Sequence, residues 1–188
     1  MISHLQIRGF VLSQVVLKKL EILIMPGSRV PDWFTAEPVV FSKRRNRELK
    51  GVIFFGVLSF KNIPENQRER LQLEDVQGKI FNLSSEVFST TFRLLGVPGT
   101  NEDHIFLRRF GARTPLVFQL KDRYTLHLQM RNPPRVNGLE LNNCRIHLVY
   151  YGDDDYEGDE GSLEESQFSV SQKLAKFFNF AAEDHACI

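Results

Sequence analysis

The chain has 188 residues, of which 42% are apolar and 25% charged, with a formal net charge of +1. That near-neutral balance gives no global push toward nucleic acid or a membrane surface. The length allows one well-filled core, or a core plus appendages.

The N-terminal apolar stretch is broken by Arg8 and Gly9 and lacks a small-residue cleavage site, so no signal peptide is expected. Residues Leu17 to Ile24 carry Leu-x-x-Leu-x-Ile spacing, the pattern by which a leucine-rich repeat lays down its strand. Pro26-Gly27 then turns the chain, Pro31 stiffens it again, and the single tryptophan, Trp33, follows beside Phe34. The aromatic pair reads as an anchor plugging the open end of a sandwich or repeat stack.

A short strand at Val39–Phe41 leads into the basic cluster Lys43-Arg44-Arg45-Asn46-Arg47. The almost continuously apolar run Lys50 to Phe60 suits a strand covered on both faces, with Gly56 marking a bulge or a close backbone approach. As a helix, its longest apolar part would cross only about half a bilayer. Leu71–Asp75 and Lys79–Leu83 predict a hairpin turning at Gln77-Gly78, and Val87–Leu95 another strand. A dense loop signal spans Gly96 to Asp103. His104–Leu107, then the alternating runs Tyr124–Met130 and Cys144–Tyr150, complete a series of short strands with almost no helical period. The fold class this predicts is all-β, an antiparallel sandwich. After Gly152 the chain turns acidic, Asp153 to Glu160, and reads as a solvated linker. Ser162 with Glu165 fits a capping box, and Val170, Leu174, Phe177 and Phe178 fall at helical spacing, predicting a short amphipathic C-terminal helix.

Catalytic constellations are weak. Gly96-Val97-Pro98-Gly99 lacks the Lys and Ser/Thr of a phosphate loop, and Ser28 lacks the strand-to-helix context of a nucleophile elbow. Cys144 and His147, three apart on a strand, face opposite sides. Cys144 and Cys187 are too far apart in sequence for a metal or disulfide framework and read as free thiols in a reducing compartment. His127 and His147 have no third ligand for a metal. No cofactor, metal or enzyme is expected. The five bases between Lys43 and Lys50 could touch phosphate or an acidic protein, although no aromatic is interleaved for stacking bases.

Several pieces in order resemble a known family: Leu17-Lys-Lys-Leu-Glu-Ile-Leu23, Pro26-Gly-Ser-Arg-Val-Pro-Asp-Trp-Phe34, Leu49 to Val57, Asp103-His-Ile-Phe-Leu107, and Arg131-Asn-Pro-Pro through Cys144-Arg-Ile-His-Leu-Val-Tyr150. Together they are similar to the C-terminal jelly-roll/Ig-like domain that follows the leucine-rich repeats in plant intracellular immune receptors of the TIR class. The structural signature is carried by Pro26, Gly27, Pro31, Trp33, Phe34 and Cys144, with Arg145 standing where the family often has Gly. The resemblance implies the end of a repeat array over 1–24, a jelly-roll/Ig-like sandwich over 25–152, and an acidic linker with a short helix over 153–188. It also implies recognition of a pathogen effector protein in the cytoplasm or nucleus, alongside the repeat and nucleotide-binding domains of the same receptor, with any NAD-cleaving activity in an absent TIR domain. Loops would make the contact; the candidates are Lys43, Arg44, Arg45 and Arg47, then Asn101, Glu102 and Asp103, then Arg113. A structural or autoinhibitory cap, with the C-terminal helix docked on another domain, is the alternative. A nucleic-acid-binding sandwich is a further one.

Overall fold

Helix α1 (Gln14–Lys19) precedes strand β1 (Ile22–Pro26), so the strand expected over 17–24 starts at Ile22 and the residues before it turn helically. Leu17 and Leu20 are both buried in the same cluster as Leu23. A strand would send residues three apart to opposite faces, whereas a helical turn keeps them together. The computed structural model describes residues 14–62, 71–97, 99–153 and 168–184. The other elements are β2 (Thr35–Ala36), β3 (Val39–Val40), β4 (Leu49–Phe60), β5 (Leu71–Asn82), β6 (Ser85–Val97), β7 (His104–Gly111), α2 (Pro115–Gln119), β8 (Thr125–Met130), β9 (Leu139–Tyr150) and α3 (Val170–Asp184).

The strands form two antiparallel sheets, ordered β1-β7-β4-β9-β2 and β3-β8-β5-β6. The chain is the all-β sandwich with a short C-terminal helix that its alternating patterns predict. Strand β4 is central and buried on both faces. Val52, Phe54, Leu58 and Phe60 enter the core between the sheets. Ile53, Phe55 and Val57 enter a second core on the outer face, shared with α1, α3 and Phe34. Gly56 is needed for close approach, because a Cβ there would lie 2.6 Å from the Phe106 ring and 2.9 Å from Leu141.

Three expectations are corrected. Strand β5 runs unbroken through Gln77-Gly78, and the hairpin turns at Leu83-Ser84. Gly78 instead makes room for rings: an added Cβ would sit 3.1 Å from Phe92 and 3.3 Å from Phe54. Trp33 and Phe34 plug no end of the sandwich. They lie on the outer face of the five-stranded sheet, stacked on each other at 4.5 Å, with Phe34 buried against Phe55. The apolar face of α3 is occupied by this chain's own sheet, with Val170, Leu174, Ala175 and Phe178 buried there, so it is not a surface for docking on another domain.

The capping box of α3 is Ser169 with Gln172. Ser169 N–H donates to Gln172 Oε1 at 2.8 Å, and Gln172 N–H donates to Ser169 Oγ at 3.2 Å. Ser162 and Glu165, the expected box, lie outside the described residues, as do Cys187, Pro98 and the acidic run beyond Asp153. Arg145 sits inside the sheet, with β2 on one side and β4 on the other. Among the described residues, no helix is long and apolar enough to cross a membrane.

Candidate functional site

The strand registers decide which loops share a surface. Gly51 pairs with Gly111 and Leu49 with Tyr150, so the β3–β4 loop, the loop after β7 and the exit of β9 lie at one end of the sandwich. Leu58 pairs with His104, which puts the loop before β7 at the opposite end. The three candidate loops therefore form two surfaces: Lys43, Arg44, Arg45, Arg47 and Arg113 at one end, Asn101, Glu102 and Asp103 at the other.

The basic loop is a rigid turn. Arg44 and Arg47 bridge across Arg45-Asn46, and the Lys43 N–H donates to Asp122 Oδ1 at 2.7 Å. The Arg44 guanidinium lies 4.5 Å from the centroid of the Tyr150 ring and that of Arg47 5.4 Å. Arg47 also donates to Asp153 Oδ1, while Asp153 Oδ2 accepts from the Tyr150 N–H at 2.8 Å. The Asp153 carbonyl accepts from Val170 N–H at 3.2 Å, so one residue joins the basic loop, β9 and the start of α3.

Tyr150 and Asp153 are the site residues that sequence pattern does not reveal. Tyr150 lies about a hundred residues from the arginines it supports, and Asp153 reads in sequence as the start of a solvated acidic run; only the register Leu49↔Tyr150 unites them. Tyr150 does not rescue a base-stacking reading, because it is 4% exposed and its ring is covered. Exposed apolar side chains share this end: Phe118 on α2 (80% exposed), Leu83 in the β5–β6 turn (92%) and Tyr151 (51%).

At the opposite end, Asn101 and Glu102 are exposed, but Asp103 is a structural pin. Its Oδ1 accepts from Ser59 Oγ at 2.7 Å, and its carbonyl accepts from the Gly27 N–H at 2.8 Å. That bond fixes the turn after Pro26, while Pro31 closes a second turn by accepting from Phe34 N–H at 3.3 Å. Buried His104 donates from Nδ1 to the Glu102 carbonyl at 2.9 Å. Burial holds its imidazole below the ordinary value of 6.5, against the Glu102 hydrogen bond and the Glu102 and Asp103 charges. Beside this end, buried Asp75 accepts from Arg135 N–H at 2.7 Å and Val136 N–H at 3.0 Å.

The residues with chemical potential are dispersed. Cys144 faces the inter-sheet core and His147 the outer face, against Trp33 at 5.1 Å. Burial, with the Glu37 carboxylate adding to it, pushes the Cys144 thiol up to about 12, so it is not poised as a thiolate. His127 lies in the other sheet, beside Phe81 and 3.9 Å from Glu37. Among the described residues no group of three His, Cys, Asp or Glu is placed to hold a metal ion.

No protein-family model matches the chain, and no curated protein does.

Proposed function

We propose that the chain is the effector-recognition module of a plant intracellular immune receptor of the TIR class, acting in the cytoplasm or nucleus and binding an acidic face of a pathogen protein through the basic end of the sandwich. The sequence resemblance supplies the family. The observation that carries the binding mode is the gathering of exposed Arg44, Arg45 and Arg113 with exposed Phe118, Leu83 and Tyr151 at one end. Arginine and aromatic side chains dominate binding energy at protein interfaces, and charge complementarity speeds encounter. The repeat and nucleotide-binding domains of the same receptor would complete the recognition unit. Arg47 is exposed as well, but Asp153 already holds its guanidinium.

The structural-cap reading draws on one feature: β1 forms an edge of the five-stranded sheet, where a preceding repeat could continue. Binding of purified candidate effectors at two salt concentrations separates the readings. Reversing Arg44, Arg45 and Arg113 to Glu is expected to weaken binding at least about tenfold, roughly 1.4 kcal/mol, and to flatten its salt dependence. Unchanged binding by a triple variant that stays folded would leave only the cap.

A further inference from the structure

The two sheets do not close on each other everywhere. In β7 the residues facing the other sheet are Phe106, Arg108 and Phe110, since Phe106 and Phe110 belong to the inter-sheet core and alternation puts Arg108 between them. In β6, Phe88 packs against that core and Thr90 alternates with it on the same face. Where the sandwich would ordinarily place two apolar side chains, it places Arg108 and Thr90. Between them opens a cleft of about 350 Å³ at the side of the sandwich.

Charge in this cleft is one-sided. Among the described residues, Lys18, Lys19, Arg108 and Arg109 line it against a single carboxylate, Glu21. Arg109 is tied to the neighbouring edge, its Nη1 donating to the Lys18 carbonyl at 3.3 Å. On Arg108, the Nε is buried with no hydrogen-bond partner among the described residues, and the guanidinium lies 5.2 Å from the centroid of the Phe110 ring. Burial acts against its charge and only Glu21 opposes this. A buried donor without an acceptor is rare in folded proteins and asks for one. A planar guanidinium fork is the group that best takes a phosphate or carboxylate.

We propose that this cleft binds a small organic anion, its oxyanion held by the Arg108 fork and its flat apolar body lying between Phe88 and Phe110. The volume is that of a small-ligand pocket, and its make-up, aromatic walls with a few convergent polar groups, is the usual one. The cleft adjoins the basic end, since Gly111, Thr114 and Pro115 line it on either side of Arg113, but Arg108 and Phe88 are not among the residues proposed for effector recognition and the proposal does not depend on it.

The test is a titration of the isotope-labelled full chain, following the Arg108 Nε–H resonance, identified by its loss in Arg108→Gln, and the backbone amide resonances of Thr90 and Gly111, which line the cleft and remain in every variant. Phenyl phosphate and benzoate are the probes, with inorganic phosphate as the oxyanion alone. A saturable shift is expected with at least one organic probe, roughly fivefold tighter than with inorganic phosphate, the scale of one added ring contact. Phe88→Ala should remove that advantage, and Arg108→Lys, which keeps the charge but not the fork, should weaken both. Shifts that grow linearly without saturation, equal affinity for phosphate with and without the ring, or undiminished binding in folded Arg108→Gln would each overturn the proposal. If Arg108→Gln does not fold, the wild-type titration and Arg108→Lys still decide it.

Discussion

Asp153 grips Arg47 with one carboxylate oxygen and the backbone N–H of Tyr150 with the other, so the basic loop and the end of the last long strand are held by the same side chain. The ion pair is partly exposed, with side-chain exposures of 40% and 19%, and by itself contributes only about 0.5 kcal/mol. The bond to Tyr150 adds about 1.5 kcal/mol, because a charged acceptor is lost with it. Asp153→Ala should therefore destabilise by about 2 kcal/mol and Arg47→Gln by about 0.5 kcal/mol in urea unfolding. Equal effects would show that the ion pair dominates.

Asp75 does comparable work at the far end. It is fully buried, sits where the β5–β6 register shifts, and accepts two backbone N–H bonds from the loop before β9. Asp75→Ala leaves both donors without their acceptor and should lower stability by about 3 kcal/mol, with Asp75→Asn losing about half of that. Hydrogen exchange at Arg135 and Val136 should accelerate in both variants, more in the first.

Helix α3 is a wall of the second core, and its start is set by the reciprocal Ser169–Gln172 bonds. Ser169→Ala should cost about 1 kcal/mol. Phe178→Ala, emptying a site packed against Phe55 and Phe177, should cost about 3–5 kcal/mol. Truncation before the helix would bare Ile53, Phe55 and Val57, so the shortened chain should aggregate. Static light scattering reads that outcome, and a soluble monomer would contradict this packing of α3 on the sheet.

His104 gives the fold a pH dependence of known sign. Its folded pKa lies below the ordinary 6.5, so between the two values the unfolded chain binds the extra proton. Its contribution is intact above pH 6.5 and declines as pH falls from there toward the folded value. Stability curves for wild type and His104→Gln should converge in slope above that point, with the wild type falling more steeply below it.

Much of this architecture is legible from residue pattern. The apolar run of β4, with Val52 and Ile53 alternately facing two cores, announces a strand buried on both sides, and the alternation in β8 and β9 survives as written. The failures are those of local rules overridden by packing. Gly78 looks like a turn residue but serves the rings of Phe54 and Phe92, while the real turn uses Leu83 at a φ of 55°. Two Ser-x-x-Glu/Gln patterns precede the last helix, and the one at Ser169 adjoins the first buried helical residue, Val170. The site is half legible: the arginine run is visible in the sequence, but its support by Tyr150 and Asp153, and the separation of Asn101 and Glu102 from it, come only from strand register.

Whether the basic end is the recognition surface is decided by one binding measurement. On the proposed function, the receptor that would carry this chain is tested for capture of candidate pathogen effectors after swapping either Arg44-Arg45 together with Arg113, or Asn101-Glu102. Loss of capture with the first swap and retention with the second is the expected result. Retention with the first and loss with the second would place recognition at the opposite end and contradict a role for the basic end in effector binding.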